Sequence, residues 1–414
     1  MTRRVVVTGL GAVSPVGNDV ESTWQAIKAG KSGVARIERY DASEHAVQIA
    51  GEAKDWDPEQ YVEKKELRRR DRYQLLAYAA ACQAIQHSGL ETTEEFSART
   101  GVIVGSAVGG VESFVDQVVR VEQLQDLRRV TPFGIPMLMV NGGSNMISIA
   151  FKATGPSYTP TSACATGADC IGHAFDLIRL GRIDRAIAGA GEAPIIPIGI
   201  AVFDRIGAAS RENDEPHRAM RPFSKNRSGL AFAEGGSVMI LEELESAKAR
   251  GATILAEIVG YGSTSDAFHV TAPDPTALGA TRALQQALDD AKMNPDDVHY
   301  INAHGTATDL NDPMETKAVK AVFGEHAYKI PISSTKSMTG HGMGMTAALE
   351  AIFCVLALRD QVAPPTMNLE EPDPECDLDY VPNEARDVPM SVVMTNAFGF
   401  GGHNASLVFK KFVQ

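Results

Sequence analysis

Short apolar runs alternate with amphipathic stretches along the chain. Arg4 to Thr8 is β-branched and ends at Gly9-Leu10-Gly11, which predicts a buried strand feeding a glycine turn. Asp71 to Ser88 carries Leu75, Leu76, Ala79, Cys82 and Ile85 at helical spacing. Val102-Ile103-Val104 predicts a strand before Gly105, and Tyr158 to Ser162 a strand running into Cys164. Ala165 to Leu180 then reads as a helix with Ile171, Ala174, Phe175 and Ile178 on one face. Strands at 186–191 and 238–241 precede a charged helix over 242–250.

A second cycle begins with a strand over 254–259. Helices are predicted over Thr276 to Lys292, Asp312 to Phe323 and Thr346 to Arg359. Strands are predicted over Val298 to Ala303, Ile332 to Ser334 and Ser391 to Thr395. Strands alternating with helices imply α/β architecture with largely parallel sheets. No residue-level repeat links the two cycles. Each nevertheless starts with a strand and puts reactive residues at strand ends. The divide falls near residue 255, giving halves 1–254 and 255–414, and no flexible linker separates them.

Composition narrows the class. At 414 residues, with 44% hydrophobic and 22% charged, the chain can bury large cores and reads as globular. A net charge of −13 argues against a general nucleic-acid binder. The five cysteines are odd in number and widely spaced, without a C-x-x-C zinc pattern, which fits reduced thiols in a cytosol. Met1 to Gly9 lacks the apolar core and cleavage site of a secretory leader, and no run reaches the length of a membrane span. The expectation is a cytoplasmic protein without stable membrane association. Gly9-Leu10-Gly11-Ala12-Val13-Ser14 lacks the third glycine of a dinucleotide fingerprint, and Pro15 interrupts the helix start that fingerprint needs.

Candidate chemistry centres on Thr161-Ser162-Ala163-Cys164-Ala165-Thr166-Gly167. A cysteine where extended chain enters a helix meets unpaired N–H groups and a positive dipole end, which favour thiolate. Small neighbours permit close approach. Cys82, Cys170 and Cys354 sit in apolar helical patterns and read as structural. His304 follows the strand ending at Ala303, and His341 lies between Gly340 and Gly342. Either alone is an ordinary loop histidine; together with a nucleophile they suggest a thioester-cleaving site. Cys164, His304, His341 and His403 are conceivable zinc ligands, but no local pair or carboxylate has ligand spacing.

Three motifs in order are specific together: Ala163-Cys164-Ala165-Thr166-Gly167, Asn302-Ala303-His304-Gly305-Thr306, and Ser334-Thr335-Lys336-Ser337-Met338-Thr339-Gly340-His341. With Val5 to Gly11 at one end and Asn396 to Asn404 at the other, the whole chain resembles the β-ketoacyl-[acyl carrier protein] synthases, synthase II type. The resemblance implies a thiolase-like fold of five layers, α-β-α-β-α, from two duplicated halves, and a homodimer. It implies a cysteine that takes an acyl group from acyl carrier protein and condenses it with decarboxylating malonyl carrier protein. No cofactor is implied beyond the phosphopantetheine of the carrier.

The same resemblance assigns roles. Cys164 is the nucleophile, and His304 and His341 donate N–H groups to the enolate oxygen. Lys336 and Glu350 form a charged pair behind them. The backbone N–H groups of Cys164 and Phe400 form an oxyanion hole, with Phe400 as a gate. Thr271, Thr306 and Thr308 match pantetheine-binding positions. Phe203, Val108, Phe133 and Gly134 match the acyl-binding side. Asp312 and Glu315 match structural acids.

The run Lys64-Lys65-Glu66-Leu67-Arg68-Arg69-Arg70-Asp71-Arg72 reverses the charge of an acidic chain, and Lys64, Lys65, Arg68 and Arg69 read as a docking surface for the acidic carrier. Several residues depart from the family pattern. Gly134 stands where an aromatic ring usually closes the acyl pocket from across the dimer, and Val108 where a larger aliphatic residue is common. Both imply long acyl primers. Gly142-Gly143 and Gly342-Met343-Gly344-Met345-Thr346 also depart, and Gly207 replaces an arginine in a carrier-facing loop. Phe203-Asp204-Arg205-Ile206 and Asn311-Asp312 are similar to polyketide ketosynthase subunits, so a type II polyketide or polyene ketosynthase is the alternative. A degradative thiolase uses a second cysteine as base, and a chain-length factor lacks the active cysteine; neither matches.

Overall fold

A computed structural model describes residues 3–91 and 93–413. Met1 and Thr2, where the reading for a leader began, lie outside them. Nine strands form the main sheet: β1 (Val5–Val13), β2 (Thr100–Gly105), β3 (Arg185–Glu192), β4 (Gly235–Glu243), β5 (Ala256–Ser265), β6 (Tyr300–Asn302), β7 (Ile332–Ser333), β8 (Val392–Gly399) and β9 (His403–Lys410). Their order is β7-β6-β8-β9-β5-β1-β4-β3-β2. Five helices cover it: α1 (Arg72–Ser88), α2 (Thr166–Arg179), α3 (Leu278–Ala291), α4 (Asn311–Phe323) and α5 (Met343–Asp360).

The halves repeat one topology. In the second half, β6 pairs in parallel with β7 and β8, while β8–β9 and β9–β5 are antiparallel. In the first, β2 pairs in parallel with β3 and, through Val102, with Ser157, while β3–β4 and β4–β1 are antiparallel. The stretch at Ser157 thus occupies the place of β7. The strand expected over Tyr158 to Ser162 is reduced to this single bridge, and no regular element follows it before the 3-10 turn at Ala163. The sheet is also less parallel than expected. The last strand of each half returns antiparallel, and β9, which alternation alone did not reveal, closes a hairpin with β8.

Among the described residues the half-sheets join only where Val5–Val7 of β1 meets Ala256–Ile258 of β5. Between them lie α2 and α5, packed on each other and touching strands of both halves. Helix α1 covers β1, β3 and β4 on one outside face; α3 covers β5 and β9 on the other, with α4 against α3. This is the five-layer thiolase-like arrangement. Helix α5 is buried on every side from Met343 to Leu358, which explains its apolar composition without an amphipathic stripe.

Gly9 and Gly11 do not make a turn; β1 continues through them after a register shift at Thr8. A Cβ at Gly11 would lie 1.9 Å from the Ala80 carbonyl oxygen, and one at Gly9 would lie 2.3 Å from that of Ala84. These glycines let α1 press onto the strand. Helix α1 starts in a capping box between Asp71 and Gln74 and stops at left-handed Gly89. Gly142, at the start of helix Gly142–Phe151, has the same kind of reason: a Cβ there would meet Gln74 Nε2 at 1.9 Å. Gly11→Ala should cost about 1–3 kcal/mol of stability by overpacking, read as a lower denaturation midpoint. An unchanged midpoint would mean that α1 can shift freely.

Candidate active site

Cys164 and His341 occupy equivalent places in the two halves. Each follows its half's third strand position and precedes a central helix. Cys164 sits on a single 3-10 turn, Ala163–Ala165, directly ahead of α2. Ala163 adopts φ +50°, a left-handed conformation that swings the cysteine out of the helix line. Ser162 N–H donates to Thr166 Oγ1 at 3.0 Å and closes the turn. His341 is pinned differently: its N–H donates to Ala231 O at 2.8 Å, and its carbonyl accepts from Ala233 N–H at 3.0 Å. His304 follows β6, where Glu315 of α4 accepts the N–H groups of His304 at 2.8 Å and Gly305 at 2.7 Å. Gly305, at φ +40°, makes that bend possible.

The three side chains converge. His341 Nε2 is 3.2 Å from Cys164 Sγ. The imidazoles stand edge to face with centroids 5.4 Å apart, and one ligand-type atom from each residue falls within 4.8 Å of the others. Their spacing would allow a metal ion. All three are buried at the end of a cleft of about 430 Å³.

Burial governs the electrostatics. It holds both imidazoles well below the usual histidine range, and the Lys336 charge pushes them further down. They are therefore neutral at pH 7, each with a single N–H to donate. The expectation of a thiolate-favouring cysteine is not met in the resting site: burial pushes the Cys164 thiol up to about 11. The backbone N–H groups of Phe400 and Cys164 and the charge of Lys336 oppose burial without overcoming it. Lys336 Nζ donates to both Glu350 oxygens, at 2.7 and 2.8 Å, with both side chains almost fully buried. Burial raises the Glu350 carboxyl while Lys336 opposes that shift. Asp312, from α4, accepts Phe223 N–H at 2.8 Å and so holds the neighbouring loop.

Phe400 tops the β8–β9 hairpin. Gly399 brings it close: a Cβ there would lie 3.0 Å from Cys164 N. Gly401 and Gly402, at φ +85° and +74°, turn the chain back. The Phe400 ring stacks on Phe203 with centroids 5.6 Å apart. Thr271, Thr306 and Thr308 line the same cleft as Cys164, Phe203 and both histidines. Thr306 and Thr308 share a 2.9 Å hydroxyl contact.

Val108, Phe133 and Gly134 do not line this cleft. Val108 is exposed, and a Cβ at Gly134 would meet only Thr131 Cγ2, at 3.8 Å. Lys64, Lys65, Arg68 and Arg69 are exposed on and after the short helix Lys64–Leu67. Local acids already engage part of that charge: Lys65 pairs with Glu63 at 2.6 Å and Arg69 with Glu66 at 2.9 Å. Arg69 also lies over the Phe133 ring at 5.0 Å, which joins the basic surface to the 131–134 segment. Arg72 is withdrawn from it into a pair with buried Glu234. Gly207 is the left-handed cap of helix Pro197–Ile206, and Arg211 is paired with Asp204 at 2.7 Å.

Sequence reasoning missed Asp266. Its carboxylate accepts Asn404 Nδ2 at 2.7 Å and its N–H donates to Gly402 O at 2.9 Å, bracing the Phe400 hairpin from β5. No motif marks such a residue, because its partner is mostly backbone.

The profile of the β-ketoacyl synthase N-terminal domain matches residues 2–247, and that of the C-terminal domain matches residues 255–370. The chain belongs to the β-ketoacyl synthase family. It is 48% identical over 412 residues to 3-oxoacyl-[acyl-carrier-protein] synthase 2 of Staphylococcus aureus (strain COL), covering 99% of both chains. It is 46% identical to the synthase 2 of Synechocystis, covering 99% of this chain and 98% of the relative. Among solved structures, a β-ketoacyl synthase from Burkholderia phymatum superposes with a TM-score of 0.92 at 38% identity, covering 99% of this chain and 100% of that one. A type II polyketide ketosynthase solved with its acyl-carrier protein gives a TM-score of 0.92 at 33% identity, with full coverage of both.

For a β-ketoacyl synthase site governed by burial, alkylation of Cys164 by iodoacetamide should quicken about tenfold per pH unit. It should show no plateau between pH 7 and 9.5 when followed by intact mass. A plateau below pH 8 would show that the N–H groups and Lys336 outweigh burial.

Proposed function

We propose that this protein is a 3-oxoacyl-[acyl carrier protein] synthase that lengthens acyl chains by two carbons in fatty acid synthesis. The carrying observation is the convergence of Cys164, His304 and His341 in one buried cleft end, in a chain 48% identical over its length to synthase 2 relatives. In the first stage Cys164 sulfur attacks the acyl thioester of the carrier. The tetrahedral oxyanion forms against the N–H groups of Cys164 and Phe400. It collapses to an acyl-enzyme, and the thiol proton leaves with the pantetheine sulfur. In the second stage malonyl carrier protein loses carbon dioxide, and the bond electrons become an enolate. The neutral imidazoles of His304 and His341 donate to its oxygen. The enolate carbon attacks the Cys164 thioester and releases the thiolate.

Lys336, neutralised by Glu350, acts on the histidines through its field and keeps them uncharged. That positive charge also disfavours a metal ion among Cys164, His304 and His341, so the reaction is assigned no cofactor. Thr271, Thr306 and Thr308 lie along the route of a pantetheine arm. Phe400 with Phe203 gates the cysteine, and glycines on both sides of Phe400 supply the hinge. Val108, Phe133 and Gly134 belong to an acyl-binding side separate from the entry cleft, where the open space at Gly134 favours long primers. We assign a homodimer as well. Helix Val111–Leu124 buries no residue and exposes Phe114, Val118 and Val119, an apolar face suited to a second copy. Five free cysteines fit a reducing cytosol.

The second reading, a polyketide or polyene ketosynthase, rests on structural relatives such as the ishigamide ketosynthase/chain length factor, at a TM-score of 0.93 and 34% identity. The higher identity to synthase 2 favours fatty acid synthesis. Intact-mass analysis with a panel of acyl carrier proteins separates them. Saturated primers beyond about six carbons should load once, on Cys164, and Cys164→Ala should load none. Exclusive loading of polyunsaturated or partly reduced primers would support the second reading. His304→Ala and His341→Ala should each slow malonyl decarboxylation about 100-fold or more.

Docking is assigned to the surface at Lys64, Lys65, Arg68 and Arg69. Reversing Lys65, Arg68 and Arg69 to Glu should raise KM for acyl carrier protein about tenfold or more. It should leave turnover of a small thioester mimic unchanged. Equal losses with both substrates would count against docking at this surface.

A further inference from the structure

Glu192, at the carboxyl end of β3, is fully buried, and among the described residues it forms no ion pair with a lysine, arginine or histidine. Donors surround it instead. Ser106 Oγ donates to its Oε2 at 2.9 Å, and the backbone N–H of Ala107 donates to its Oε1. Val108 N–H donates to Ser106 Oγ at 3.3 Å, and the Gly344 N–H helps hold the carboxyl against the upward push of burial. Ser106 to Val108 follow the end of β2, the parallel neighbour of β3. Gly344 lies in the first turn of α5, three residues after His341. Burial pushes the Glu192 carboxyl up to about 8, and the donors oppose that shift by favouring the ionised form, which only accepts, as an amide does not.

The surroundings of Gly344 show what the clamp holds. A Cβ at Gly344 would lie 2.8 Å from Thr166 Cβ, 3.1 Å from Glu192 Oε1 and 3.3 Å from Ala163 O. A Cβ at Gly167 would lie 2.3 Å from Gly344 O. The first turn of α5 is therefore in van der Waals contact with the turn that bears Cys164, and Glu192 fastens it from the side. When ionised, it also acts on the Cys164 sulfur in the direction opposite to Lys336.

We propose that Glu192 is a positioning residue of the condensing site, an acceptor-only clamp that holds the start of α5, and with it His341, against the Cys164 turn. When ionised, its charge opposes that of Lys336 at the sulfur. The inference rests on the proposed function for its catalytic consequence, but not for its effect on the thiol.

The test uses full-length Glu192→Gln, Glu192→Asp and Ser106→Ala. Two quantities are read: the iodoacetamide rate at Cys164 from pH 7 to 10, and single-turnover acyl transfer from acyl carrier protein by intact mass. The groups facing the sulfur are His341, His304, Lys336 and Glu192, and only the last is changed. Glu192→Gln should raise alkylation at pH 9.5, where the Glu192 carboxyl is ionised, about threefold or more, because a negative charge is gone. It should slow acyl transfer about tenfold or more, because an amide NH₂ faces N–H donors and the alignment loosens. Glu192→Asp keeps the charge but loses reach, so alkylation should stay as in the parent while acyl transfer falls. Ser106→Ala should slow acyl transfer about threefold with an unshifted alkylation profile. Parent-like alkylation and acyl transfer in folded Glu192→Gln would overturn the proposal. If that variant does not fold, parent-like acyl transfer in Ser106→Ala overturns it. A parent protein that accepts no acyl group from any carrier overturns the proposed function instead, and the clamp is then judged on the alkylation profiles.

Discussion

The site depends on the contact between the two central helices. Gly167 of α2 and Gly344 of α5 leave no room for side chains where the helices meet, so the backbones touch. Cys164 immediately precedes one helix and His341 the other, so this contact sets the separation of sulfur and imidazole. Both helices are enclosed by strands of both halves, and neither can shift without opening the core. The duplicated topology thus brings two copies of one strand-to-helix junction face to face, one carrying a thiol and the other an imidazole 3.2 Å from it.

Enclosure also decides protonation. A buried lysine normally calls for compensation, and Glu350 supplies it at 2.7 Å. Burial and the remaining field of Lys336 keep both imidazoles neutral. The thiol is likewise held protonated until a substrate arrives, with N–H groups from Cys164 and Phe400 already placed around the sulfur. Such a site stores little charge at rest. Its dipoles meet the charge that appears during thioester attack and decarboxylation, which is the arrangement that favours a transition state over the resting state.

Much of this was legible in the chain. Cys164, His304, Lys336 and His341 stand in short motifs whose order identifies the family, and helices such as Arg72–Ser88 carry both apolar spacing and capping residues. Other features were misread for identifiable reasons. Gly9 and Gly11 looked like a turn because strand glycines and turn glycines are the same letter; their role is set by α1, some seventy residues away. Tyr158 to Ser162 looked like a strand, and Tyr158 N–H does donate to Val102 O, but only Ser157 forms a bridge. Gly167 is one of the small neighbours of Cys164 that permit close approach, and what approaches it is α5.

The sequence by itself determined the alternation of strands and helices, the family, and the motifs that hold Cys164, His304, Lys336 and His341, because these depend on residue type and local order. Tertiary structure alone decided the protonation of the thiol and imidazoles, the split between an entry cleft and the positions of Val108, Phe133 and Gly134, and the partners of Glu192 and Asp266. Those properties arise from burial and from backbone groups brought together from distant segments. Neither the depth of a residue nor the direction of a remote N–H is encoded in the identity of its neighbours along the chain.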